Sequence, residues 1–149
     1  MTAFIPFTSD DEIAAIGHGL IARTLPKPQW THAAHFAATL WLMESRSIED
    51  VAALLPGLIR AYNEATGTVN SDTSGYHETI TQASLRAAWA FWRGRAAQSP
   101  APLFVICNDL MASRLGQSDW VFAHWTRERL FSVAARREWV EPDLEPLPW

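Results

Sequence analysis

Hydrophobic positions recur every three to four residues along most of the chain, and polar capping residues precede several of these runs. Ser9, Thr31 and Ser47 each stand before such a run, and Glu12 completes a capping box with Ser9. No stretch shows a trustworthy two-residue alternation typical of a strand. Six helices are predicted, over residues 9–24, 31–44, 47–66, 76–97, 103–115 and 118–135. The pattern therefore predicts an all-α fold.

Prolines modify this scheme at two places. Pro56 lies inside the third predicted helix and is expected to kink it or split it in two. The segment 140–149 contains three prolines and cannot be helical, so we expect an extended tail that packs on the surface. Together these features predict a single domain over residues 1–149: a bundle of about six helices with a Pro-rich C-terminal tail.

Composition supports a folded core and limits the function classes. Hydrophobic residues make up 48% of the chain and charged residues 19%, which argues against disorder. The single cysteine, Cys107, lies in an apolar run, so we expect a buried, inert thiol. A net charge of −4 argues against a nucleic-acid partner, because phosphate binding needs a basic surface.

The sequence carries no pattern of membrane insertion or export. No apolar run approaches the ~20 residues that a membrane span requires. The N-terminal segment is acidic at Asp10, Asp11 and Glu12 and resembles no signal peptide. We therefore expect a cytoplasmic protein without a membrane partner.

Two polar segments hold three of the five histidines: Trp30–His35 and Asn70–Thr79. Short connections imply antiparallel neighbouring helices. In an up-and-down bundle, both segments would then meet at one end, together with the end of the third helix. The groups expected there are His32, His35, Asn63, Glu64, Asn70, Asp72, His77 and Glu78, with His124 left open.

Histidines at helix N-termini are expected to be neutral at pH 7, because the helix dipole disfavours imidazolium. Neutral imidazole can accept a proton or bind a metal ion. Glu64, near a helix C-terminus, would have a raised pKa if it were buried. The candidate catalytic residues are His35, His77, Glu64 and Glu78. The candidate substrate contacts are Trp30, Asn63, Asn70, Asp72 and Tyr76, and the candidate ligands of a divalent metal (Zn, Fe or Ni) are His32, His35 and His77.

Each candidate also has a structural interpretation. His35 could pack on Trp30 at the helix entrance, and Glu78 could complement the helix dipole. Asn70 and Asp72 could be turn formers. The polar loop 67–76 is long for a compact domain, which favours a lid or a substrate contact.

Three motifs carry a resemblance. Trp30-Thr31-His32-x-x-His35, Asn63-Glu64-Ala65-Thr66-Gly67 and Gly75-Tyr76-His77-Glu78-Thr79-Ile80-Thr81 are similar to those of a family of small bacterial all-α proteins of about this length. The ending from Glu141 to Pro148 is also similar to theirs. The resemblance covers most of the chain. It implies no activity, cofactor or catalytic residue, because none is known for that family.

These observations favour a small-molecule enzyme with a His/Glu pocket that uses acid–base or metal-assisted chemistry. One alternative is a non-catalytic protein that binds or senses a small ligand through the same polar groups. Another is a helical partner-binding protein in which tryptophans form the interface, and such a protein could be a homodimer. The sequence alone does not choose among these three.

Overall fold

The computed structural model describes residues 4–149, which form seven α-helices, three short 3₁₀ segments and no strand. The α-helices are α1 (Asp10–Ala22), α2 (His32–Met43), α3 (Ile48–Ala65), α4 (Glu78–Gln98), α5 (Leu103–Ala112), α6 (Arg127–Leu130) and α7 (Val133–Arg137). The 3₁₀ segments are Lys27–Gln29, Arg114–Gly116 and Ser118–Ala123. The predicted all-α fold is confirmed. Within residues 4–149, no helix is long and apolar enough to cross a membrane.

The first three helices begin at the predicted capping residues. The side chains of Ser9, Thr31 and Ser47 each accept a hydrogen bond from the backbone N–H three residues later, at 3.3, 3.2 and 3.1 Å. Each bond satisfies one of the N–H groups that the first turn of a helix leaves without an intrahelical partner. The sequence signal was sufficient here because a cap depends only on local residues.

Helix α2 forms the centre of the bundle. Nine of its twelve residues are buried, and it packs against α1, α3, α4 and α5. A helix that is apolar on nearly every side must be covered on every side. Its closest neighbour is α1, which has Gly17 facing the ring of Trp41, where a Cβ would come within 2.1 Å of a ring carbon. Glycine at this position therefore permits the two helices to approach closely.

The C-terminal third of the chain forms a smaller core against α4. Trp120, Trp125 and Leu130 are buried there against alanines of α4. The extended tail follows this core: the indole N–H of Trp125 donates to the carbonyl of Val140 (3.1 Å), and Asp143 accepts two hydrogen bonds from Thr126 (2.8 and 2.7 Å).

The predicted sixth helix over residues 118–135 is wrong. That stretch contains the 3₁₀ segment Ser118–Ala123, all of α6 and the first residues of α7. Thr126 and Ser132 interrupt it, because their hydroxyls cap new helices by accepting from the backbone N–H groups of Arg129 (3.2 Å) and Ala135 (3.1 Å). The predicted fifth helix is also shorter than expected, since it ends at Ala112.

Helix α3 continues through Pro56 instead of splitting, contrary to one of the expected outcomes. A proline removes the N–H that would bond the carbonyl four residues earlier, here that of Ala52. The side-chain amide of Gln82 on α4 donates to this carbonyl at 3.3 Å. The carbonyl that the proline leaves unpaired is thus satisfied by a neighbouring helix.

This arrangement predicts coupling between Gln82 and Pro56. Replacement Gln82→Met removes the donor and is expected to lower the free energy of unfolding by about 1 kcal/mol. In a Pro56→Ala background, residue 56 again has an N–H to satisfy Ala52, so Gln82→Met should cost clearly less. Urea denaturation of the wild type, both single variants and the double variant measures this difference. An equal cost of Gln82→Met in both backgrounds would contradict the assignment.

Candidate functional site

A cleft of about 340 Å³ opens beside the N-terminal half of α2. Its volume falls within the range of small-molecule sites. None of its lining residues is Asp, Glu, Lys or Arg. We term it the α2 cleft. It is lined by Trp30, His32, His35, Phe36, Thr39, Leu55, Ile59, Ile80, Thr81, Ser84, Ser118, Trp120 and Val121.

His35 presents an unpaired ring nitrogen at this cleft. Its Nδ1 lies 2.7 Å from the carbonyl oxygen of Thr31 and must donate, since a carbonyl oxygen only accepts. In the neutral ring, Nε2 then carries the lone pair. Nε2 has no hydrogen-bond partner within residues 4–149. Every buried side-chain nitrogen or oxygen in that range does have a partner, so Nε2 is not fully buried and is accessible to solvent. The ring stacks on Trp30, with centroids 3.8 Å apart.

The environment keeps His35 neutral at pH 7. Burial lowers the pKa of His35 to about 4, and the nearby ring of His32 acts in the same direction, while the bond to the Thr31 carbonyl opposes them. A neutral imidazole was expected here from the helix dipole, whereas the main cause that lowers the pKa of His35 is desolvation of the ring.

His32 lies one turn before His35 on the same side of α2. Its Nε2 donates to the carbonyl of Leu115 at 2.8 Å, and its ring meets Phe36 edge-on. In the neutral form of this ring, the lone pair therefore lies on Nδ1. His32 and His35 both line the cleft, and each ring has one nitrogen without a hydrogen-bond partner in residues 4–149.

Thr39 completes the polar side chains of α2. Its hydroxyl donates to the backbone carbonyl of His35 at 2.8 Å. Thus all three polar residues of α2 use their donor on a main-chain carbonyl. Their remaining hydrogen-bonding capacity is to accept, so the α2 side of the cleft offers hydrogen-bond acceptors.

His77 occupies a different position from the one predicted. It is the N-cap of α4: Nδ1 accepts from the backbone N–H of Ile80 (3.2 Å), and Nε2 donates to the carbonyl of Leu130 (2.6 Å). Both ring nitrogens are therefore occupied, and His77 does not line the α2 cleft. Burial lowers the pKa of His77, which favours this neutral form.

The predicted metal ligands do not form a set. His77 does not join His32 and His35 as a ligand, because both of its ring nitrogens form hydrogen bonds with backbone groups. Residues 4–149 contain no group of three or more His, Cys, Asp or Glu side chains that could hold a metal ion. The side chains that line the α2 cleft thus do not provide the ligands of the predicted Zn, Fe or Ni site.

The polar loop before α4 is organised by Asn70. Its Oδ1 accepts from the Asn63 side chain and from the Tyr76 backbone, both at 3.0 Å, and its Nδ2 donates to the carbonyl of Arg60 at 3.0 Å. Gly75 has φ 76°, and a Cβ there would lie 2.5 Å from the carbonyl oxygen of Val69. These contacts match the turn-forming interpretation of the loop.

Helix α7 holds the same loop from outside. Asp72 makes a two-point contact with Arg137 (2.8 and 2.7 Å), whose guanidinium lowers the pKa of this exposed carboxyl. Arg136 donates to the carbonyls of Gly75 (3.1 Å) and Tyr76 (3.2 Å). The loop is therefore tied down at several points.

The remaining predicted residues lie outside the cleft. The buried Tyr76 donates its hydroxyl hydrogen to Glu78, under the guanidinium of Arg60 at 4.5 Å, and burial raises the pKa of Tyr76. Glu64 is exposed on α3 and does not line the α2 cleft, contrary to its predicted place in the pocket. His124 donates to the carbonyl of Glu145 (2.9 Å) and holds the tail.

The structure thus brings Trp30, His32 and His35 together and leaves the other candidates in supporting positions. Sequence analysis missed the hydroxyl groups of the cleft, namely Thr39, Thr81, Ser84 and Ser118. One signal was available: Thr39 follows His32 by seven residues and His35 by four, which places all three on one helical face.

A second, more open groove lies between α1 and the segment before α2, with a volume of about 630 Å³. Its only acidic or basic lining residue is Glu12, whose carboxylate accepts from the backbone N–H of Thr8 at 2.8 Å. This carboxylate is therefore engaged by the adjacent chain, and the α2 cleft is the better candidate site.

Fold and site together define an all-α domain with a cleft of small-ligand size. Comparison of the chain with protein-family models, with curated proteins and with solved structures finds no match. Its function must therefore be argued from its own residues.

The double role of His77 predicts a stability effect. His77→Ala removes the cap and the bond to Leu130 and should lower the free energy of unfolding by about 1–3 kcal/mol. His77→Asn keeps a capping oxygen and should recover about 1 kcal/mol of that loss. Chemical denaturation of both variants measures these values. A His77→Ala protein as stable as the wild type would contradict this role.

Burial of His35 predicts a pH-dependent contribution to stability. The unfolded ring titrates near about 6.5, but the folded ring has a pKa of about 4. Between these values the unfolded state binds more protons, so the contribution is complete above pH 6.5 and is lost as the pH falls toward 4.

We expect acidification from pH 7.5 to pH 4 to destabilise the wild type relative to His35→Phe, by on the order of 3 kcal/mol. Urea denaturation from pH 7.5 to pH 4 measures it, and the other titrating groups, including His77, largely cancel in the difference. A difference that does not change with pH would contradict the assignment.

Proposed function

We propose that the protein binds a small molecule in the α2 cleft. The observation that carries this proposal is the pair of imidazole rings of His32 and His35, each bonded through one nitrogen to a backbone carbonyl, which line a largely apolar cleft of ligand size. Small-molecule sites have this composition: apolar and aromatic walls with a few polar groups that fix orientation.

Binding is favoured over catalysis by the chemistry of the lining residues. A general base works best with a pKa near the working pH, whereas His35 has a pKa of about 4. The lining also contains no carboxylate or thiol that could act as a partner or nucleophile. An enzyme that uses His35 for acid–base chemistry stays a prediction from the sequence, and its readout would be turnover of a bound compound.

The proposal also assigns the loop before α4. Its contacts through Asn70, Asp72 and Arg136 support a fixed wall of the fold, and they do not favour a lid. Ligand entry would then depend on the mouth of the cleft, where Ser118 is exposed.

Filling the cleft is expected to abolish binding. A library of small fragments that includes neutral, anionic and cationic members is screened by thermal unfolding. We expect some members to raise the melting temperature, because a ligand at a hundred times its Kd adds about 2.7 kcal/mol of stability. Ser84→Trp should remove the shift, since the indole occupies the cleft.

Ser45→Trp is the matched control, because it makes the same replacement at an exposed residue outside the cleft. It should keep the wild-type shifts. Fragments that stabilise the Ser84→Trp protein as much as the wild type would contradict binding in this cleft, and so would a library without any stabilising member.

A further inference from the structure

We propose that the ligand of the α2 cleft is an uncharged aromatic molecule of one or two rings that donates an N–H or O–H hydrogen bond to His35. This inference rests on the proposed function and names the ligand class for the same cleft. Three independent features of the cleft lead to it: hydrogen-bond polarity, charge and shape.

The first feature is the direction of hydrogen bonding along α2. His32, His35 and Thr39 each have one donor hydrogen, and each donates it to a backbone carbonyl at 2.7–2.8 Å. Their remaining capacity is to accept. A ligand that offers only carbonyl or ether oxygens to this wall would find no donor there, whereas an N–H or O–H group finds an open lone pair on His35 Nε2.

The second feature is the absence of charge among the lining residues. No Asp, Glu, Lys or Arg lines the cleft, and His35 is neutral at pH 7. A buried ion without a partner of opposite charge is costly. Carboxylates and phosphates would in addition face the lone pairs of the imidazoles. An uncharged ligand avoids both costs.

The third feature is the shape of the apolar walls. Trp30, Phe36 and Trp120 contribute aromatic rings, and Trp30 is already stacked on His35. Flat rings pack well against such surfaces. The volume of about 340 Å³ lies at the small end of the range for ligand sites and accommodates one or two fused rings.

The α4 residues of the cleft bear on the orientation of the ligand. Thr81 and Ser84 of α4 contribute hydroxyls, which can donate or accept. The hydrogen-bond donor of the ligand must therefore face α2, whereas either a donor or an acceptor can face α4. This asymmetry follows from the backbone bonds that use up the donors of α2.

Two isomers test the donor directly. The probes 3-methylindole and 1-methylindole have the same size and the same ring, but only 3-methylindole has an N–H. We expect calorimetric titration to give at least about tenfold tighter binding of 3-methylindole, a difference of about 1.4 kcal/mol. The ¹⁵N resonance of His35 Nε2 should shift with 3-methylindole and stay in place with 1-methylindole.

The variant His35→Phe keeps a ring that can stack on Trp30 and removes the lone pair. In this variant the two isomers should bind with nearly equal affinity. Benzoate and benzylammonium serve as charged probes of similar size and should bind more weakly than 3-methylindole.

Several results would overturn the ligand class while the proposed function stands. These are equal binding of the two isomers to the wild type, an N–H preference that survives in His35→Phe, and tighter binding of either charged probe. Failure of all four probes to bind would also overturn it. The fragment screen with Ser84→Trp tests cleft binding independently of the class.

Discussion

The burial of α2 is the constraint on which the rest of the structure depends. Nine of its twelve residues are buried, so a polar side chain on this helix must find a partner or face a cavity. His32 and Thr39 use the carbonyls of Leu115 and of His35, and His35 uses that of Thr31. Each neutral imidazole then keeps one lone pair that no group within residues 4–149 satisfies. Both rings line the α2 cleft.

The same demand for partners accounts for other polar side chains, including the predicted site residues His77 and Asn70. His77, Asn70 and Gln82 all satisfy backbone groups that the local chain leaves open: a helix start, a long loop and the carbonyl freed by Pro56. A histidine with both nitrogens hydrogen-bonded has no lone pair to offer. Polar side chains that lie close to one another therefore need not form a reactive site. A histidine nitrogen can react or bind a ligand only if it is not already hydrogen-bonded to the protein.

Local signals were sufficient for the helices that begin at Ser9, Thr31 and Ser47, and for the pairing of His32 with His35 on one helical face. Local signals failed where a side chain forms its hydrogen bond with a backbone group that is distant in the chain. The role of His77 depends on Leu130, which lies 53 residues away in the chain. Ser84 joins the cleft only through the way α4 packs beside α2 and α3, and no spacing in the sequence fixes that packing.

A purely structural role at position 35 does not need a base. The carbonyl of Thr31 already accepts the backbone N–H of residue 35 at 3.0 Å, and a phenylalanine could also stack on Trp30. The Nε2 nitrogen makes no hydrogen bond within residues 4–149 and is not needed for the stack on Trp30, and desolvation of the ring lowers the pKa of His35. The part of His35 that the fold leaves unused is the acceptor that faces the cleft, and this is the strongest reason to assign it to a ligand.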